Sequence, residues 1–181
     1  MSLWKLLGLS SEPADDGRRS DTESVRRIAE SLNRLDGDRA RYVAMFAYIL
    51  SRVAHVDMEV SEDETRAMER IIREHGHLPD DQAVMVVQLA RTQSLVFAGT
   101  DDFIVTREFD RLASHEQKLA LLDCLFAVSA SDRTILTVED NEIRRIAREL
   151  RIEHADFVNV RAAYRDHLAV LQAPSRTPSD G

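Results

Sequence analysis

The stretch "VAMFAYILSRVAHVD" (43–57) and, 75 residues further on, "KLALLDCLFAVSASD" (118–132) decide the fold, because they read as one element written twice. Their apolar positions coincide at Phe46 and Leu121, Ile49 and Cys124, Leu50 and Leu125, and Val53 and Val128. Residues three, four and seven apart share a helix face, so both runs read as helices. Each ends in an aspartate, Asp57 or Asp132, and the same offset pairs Glu64 with Glu139, Met68 with Ile143 and Ile71 with Ile146. Each half therefore reads as apolar helix, acidic elbow, amphipathic helix. A pseudo-symmetric arrangement of the two hairpins could place the elbows near one another.

Outward from this repeat, apolar residues keep helical spacing from Asp21 to Leu171, and no period-two alternation lasts for a strand's length. The spacing predicts helices over 22–35, 38–55, 61–75, 79–98, 101–112, 114–130, 138–150 and 154–170. Breaks fall at "LDGD", "HGHLPDD", "FAGTDD" and "LASHEQ", where Gly, Pro, Asp and Ser supply turn and cap chemistry. The expectation is an all-α, single compact helical domain of seven or eight helices over residues 21–171. A flexible N-terminal segment (1–20) would precede it, and a disordered Pro- and Ser-containing tail (172–181) would follow.

With 44% hydrophobic and 31% charged residues, the 181-residue chain has enough apolar content for one core. A net charge of -8 argues against a broad phosphate-binding surface, so no nucleic acid is expected as partner. The lone Cys124 excludes an intramolecular disulfide and a Cys-rich zinc site, which points to a reducing compartment, the cytosol. "MSLWKLLGLS" (1–10) is apolar but far short of the ~20 residues of a membrane span. Residues 1–9 either contact a membrane surface peripherally, dock in a partner's groove, or lie on the protein's own core.

The second half, "EQKLALLDCLFAVSASD" followed by "EDNEIRRIARELRIEHADFVNV", resembles the TerB-like tellurite-resistance family, and the resemblance runs over about residues 40–165. Asp132, Glu139 and the run Ile143, Arg144, Arg145, Ile146 and Ala147 match the second occurrence of the family's pattern. Asp57, Val60, Ser61 and Glu64 match the first. The resemblance implies an all-helical fold, a role in metal or chemical-stress response, and a divalent-cation site at the acidic elbows. The sequence departs from the pattern where the usual Gly after each aspartate is Met58 or Arg133. Gly is favoured where φ must be positive, and Arg133 adds a charge that can compete with a cation at Asp132.

Two chemistries compete for the acidity of "DMEVSEDE" (57–64). Asp57, Glu59, Glu64, Asp132 and Glu139 are the candidate oxygen ligands for a hard cation, calcium or magnesium in preference to zinc, although the spacing is not that of an EF-hand. Ser61 and Glu64, on the other hand, have the spacing of a capping box, and Glu62 and Asp63 favour the positive end of a helix dipole. Thr137 and Asp140 have the same cap spacing in the second elbow, which leaves Glu139 without a capping duty. Capping alone, and capping with weak metal binding, both stay open.

Three other features take bland readings. "HGH" (75–77) reads as a helix end rather than a zinc site, Cys124 as a small core residue, and Arg144, Arg145, Arg148 and Arg151 as a solvated face paired locally to Glu142 and Glu149. No Ser-His-Asp or Cys-His arrangement and no Gly-rich phosphate loop is present, so no enzyme activity is expected. The expected function is a non-catalytic stress-response protein that binds or senses a divalent cation. The alternative is an interaction scaffold for an unknown protein partner, with oligomeric state open.

Overall fold

A computed structural model describes residues 30, 32–53, 62–93, 102–131 and 133–169, with the side chains at 62–64 and 91–93 excepted. Among these residues lie seven α-helices: α1 (Gly37–Ser51), α2 (Glu62–Gly76), α3 (Asp80–Gln93), α4 (Asp102–Leu112), α5 (His115–Ala130), α6 (Thr137–Glu149) and α7 (His154–Ala162). The fold is all-α, as expected. The helices that follow the two elbows begin 75 residues apart, at Glu62 and Thr137, in step with the repeat.

The repeated helices α1 and α5 are the two central elements. Asp36 starts α1 by accepting the amides of Asp38 and Arg39 through its carboxylate, and Ser114 starts α5 through a reciprocal capping box with Gln117. Along α1, Tyr42, Val43, Phe46, Ala47, Ile49 and Leu50 are buried; along α5, Leu121, Leu122, Cys124, Leu125 and Phe126 are fully enclosed. A helix that is apolar on all sides must be covered on all sides. α3 and α4 cover α1, while α2, α6 and α7 cover α5. α2 also packs on α3, so one continuous core joins the two groups.

Aromatic clusters mark each centre: Tyr42, Phe46 and Phe109 around α1, and Phe126, Phe157 and Tyr164 around α5. α2 reaches α1 at its end, where a Cβ on buried Gly76 would meet the Phe46 ring at 3.0 Å. The HGH stretch is indeed a helix end, but the left-handed residue is His77 (φ 50°). Gly76 is there for the close approach rather than for the turn.

Two predicted boundaries move. The helix expected over 154–170 stops at Ala162, and the chain passes through a 3-10 turn (Arg165–His167) into an isolated bridge between Leu168 and Ile135. The Ile135 amide donates to the His167 carbonyl at 2.7 Å and the Ala169 amide to the Ile135 carbonyl at 3.0 Å. Leu168 is buried by this turn. The first repeated helix ends at Ser51 rather than 55; residues 54–61, the predicted segments 1–20 and 172–181, and the stretch 94–101 lie outside the described residues.

Candidate functional site

Of the candidate ligands, Asp57, Glu59 and Asp132 lie outside the described residues, and Glu64 is placed on α2 by its backbone alone. Glu139 is described, and it corrects the reading of the second elbow. Its Oε2 accepts the Leu136 amide at 2.7 Å, so Glu139 is the residue that caps α6. Thr137 is already helical, and Leu136 occupies the N-cap position with extended backbone. Asp140, the residue assigned to the cap by spacing, is instead buried and grips Arg161 through both oxygens, each at 2.8 Å. The bridge at Ile135 is the cause: it holds Leu136 extended and forces the helix to begin at the next residue.

Within this elbow Arg133 adopts φ 71°, the left-handed conformation that a glycine takes without strain. The turn geometry expected of an Asp-Gly elbow is thus retained with a bulky residue in it, at a cost of about 1 kcal/mol. Its carbonyl accepts from His167 Nδ1 at 3.1 Å, tying the elbow to the segment after α7. Arg133→Gly is expected to raise the unfolding free energy by about 0.5–1 kcal/mol, read from urea unfolding, because relief of strain exceeds the added entropy of the unfolded chain. An unchanged or lowered midpoint would contradict this account.

Among the described residues, the largest charged cluster sits at the C-terminal end of α1, directly before the first elbow in the chain. The Arg52 side chain is only 6% exposed. It donates to Glu142 Oε1 through Nη2 at 2.7 Å and Nε at 3.0 Å, and through Nη1 to Glu149 at 2.9 Å and Thr106 Oγ1 at 2.8 Å. Asp102 lies 3.7 Å away and accepts from the Tyr48 hydroxyl at 2.8 Å. Arg145, more exposed, reaches the same three carboxylates from α6. Burial works against the charge on Arg52, but hydrogen bonds to Glu149 and Glu142 overcome it and hold the guanidinium pKa above its ordinary value. The cluster binds α1, α4 and α6 together and consumes its own carboxylates in doing so.

A second polar cluster joins α2 to α5. His75 Nδ1 and Asp123 Oδ2 are 2.7 Å apart, and the Tyr164 hydroxyl donates to Asp123 Oδ1 at 2.7 Å. Burial first, then the bond to Asp123, pushes the Tyr164 phenol far up, so it acts as a donor and not as a phenolate. Neighbouring Cys124 is fully buried and its thiol is pushed up by that burial, which leaves it a core residue. Spacing did not expose this cluster, because His75 and Asp123 are 48 residues apart and meet only through helix packing.

Among the described residues no three His, Cys, Asp or Glu side chains converge as metal ligands, and no helix is long and apolar enough to cross a membrane. No curated protein and no solved structure matches the chain. A family model described as tellurite resistance protein TerB matches residues 42–162, from within α1 to the end of α7, and so takes in both elbows and the whole Arg52 cluster, with Tyr164 of the second cluster just beyond it. The match spans more than half of the 181 residues, and the chain belongs to the TerB tellurite-resistance family.

Proposed function

We propose that this chain is a non-catalytic cytoplasmic member of the tellurite-resistance response that binds a divalent cation, calcium or magnesium, at its acidic elbows. Asp57, Glu59, Glu64, Asp132 and Glu139 are the proposed ligands. The observation that carries the reading is the shared register: α2 and α6 start at equivalent positions 75 residues apart, so acidic residues recur at equivalent places in two elbows. Glu139 spends one oxygen on the Leu136 amide. An ionised carboxylate has further lone pairs for a cation. The nearby carboxylates of Asp102, Glu142 and Glu149 are already matched by Arg52 and Arg145, so they do not compete for it.

Thermal unfolding in calcium, magnesium, manganese and zinc tests the proposal. At millimolar calcium or magnesium, ~10–100 times a weak dissociation constant, the stabilisation expected is about 1.4–2.7 kcal/mol, a rise of a few degrees in Tm. Asp57→Ala combined with Asp132→Ala should abolish it. No cation-dependent rise in the parent protein defeats the reading.

The second reading, an interaction scaffold, draws on the start of α4, where Phe103 and Ile104 are 60% and 65% exposed. Its membrane-peripheral version rests on residues 1–9, outside the described residues. Liposome co-sedimentation of the full chain against a chain lacking residues 1–12 tests that version, and equal behaviour removes it.

A further inference from the structure

Away from the elbows, α7 and the adjoining turn of α6 border a cavity of about 280 Å³. Arg144 of α6, His154 and Arg161 of α7, and Arg165 just beyond it line the cavity, with Phe157 and Val158 supplying apolar wall and no carboxylate among the lining residues. Positions 154, 157, 158 and 161 fall on one side of α7, so the helix presents this face along its length, and Arg165 borders the same cavity from the 3-10 turn beyond it. In a protein of net charge -8, three arginines and a histidine around one hollow are not what composition predicts.

The cationic groups are held but not spent. Asp140 fixes Arg161 through Nε and Nη2, each at 2.8 Å, and the bond to Asp140 also raises the Arg161 pKa against a smaller opposing effect of burial. Arg144 lies with its guanidinium carbon 5.6 Å from the Phe157 ring centre, and its distance to Asp140, 3.8 Å, is too long for a hydrogen bond. Its Nε is buried without a hydrogen-bond partner among the described residues. Arg165 is 74% exposed, with its nearest acidic oxygen, on Asp166, at 3.9 Å. Two aspartates therefore answer the three guanidinium groups at the cavity, and of the three only Arg161 is hydrogen-bonded to its partner.

We propose that this cavity binds a small oxyanion, the phosphate of a phosphomonoester, with the apolar part of the ester against Phe157 and Val158. Planar guanidinium groups match the paired oxygens of a phosphate and donate charge-assisted hydrogen bonds to them. The volume sets the size, since pockets for drug-sized ligands start at about 300 Å³. A phosphate carrying one small apolar group fits where a nucleotide does not.

The test uses the full chain at ionic strength held constant with sodium chloride, titrated with inorganic phosphate and with phenyl phosphate and followed by phosphorus NMR and Tm. Both probes should bind saturably, phenyl phosphate the more tightly. Arg144→Gln and Arg165→Gln should each weaken phenyl phosphate by about tenfold, the loss of a charge-assisted hydrogen bond. Arg107→Gln, on exposed α4 surface, should bind as the parent does. Arg165 is exposed, so its variant reports on binding even if the Arg144 variant loses stability. The absence of saturable binding, equal losses in the Arg107 variant, or unaltered affinity in the Arg165 variant would each overturn the proposal.

Discussion

Arg52→Met is expected to lower the unfolding free energy by about 3–5 kcal/mol, measured by urea unfolding at neutral pH. The guanidinium is almost fully enclosed and is hydrogen-bonded to two carboxylates and a threonine, with a third carboxylate at 3.7 Å. Removing it leaves Asp102, Glu142 and Glu149 facing one another, with the half-exposed Arg145 as the cation left to serve all three. A buried ion pair adds little net stability when formed, because desolvation offsets attraction, but removing one member exposes the full desolvation cost of the rest. Arg52→Lys should lose about 1–3 kcal/mol, since one ammonium group cannot span Glu142 and Glu149 in the fork geometry of arginine. A loss below about 1 kcal/mol for the methionine variant would show the cluster to be solvated in solution.

This cluster also shows what could and could not be read from the chain. The local part was legible: Arg145 does pair with Glu142 at 3.0 Å and Glu149 at 3.6 Å, as residues three and four apart on a helix should. The decisive partner was not, because Arg52 is 90 residues from Glu142 and meets it only after α1 and α6 are brought together. The helices themselves were legible from apolar spacing, and the burial of α1 and α5 from the absence of a polar face on either. The end of α7 was not legible: "VRAAYRDHLAVL" (160–171) keeps helical spacing without Gly or Pro, so nothing local announces the stop. The stop is set by the bridge from Leu168 to Ile135, a contact 33 residues away in the chain. That bridge also directly precedes the start of α6, so one long-range pairing accounts for the misplaced end of α7 and for the exchange of roles between Glu139 and Asp140. Of the candidate site, the sequence shows which carboxylates recur; the described residues place one of them, Glu139, in full.

The exchange has an energetic consequence that separates the two members of the pair it creates. Asp140 is 7% exposed at its side chain and Arg161 22%, although each is the other's main partner. Arg161→Met removes both hydrogen bonds to a carboxylate that burial keeps from water, leaving Asp140 with Arg144 at 3.8 Å and the positive end of α6. The expected cost is about 3–4 kcal/mol. Asp140→Ala removes the same two bonds but leaves a cation with a path to solvent, so the expected cost is smaller, about 1.5–3 kcal/mol. If Asp140 were only a helix cap, as its spacing from Thr137 implies, Asp140→Ala would cost about 1 kcal/mol and Arg161→Met almost nothing. The order of the two losses in urea unfolding, with the arginine variant the weaker protein, therefore distinguishes the ion pair from the cap, and the reverse order would return Asp140 to the capping role.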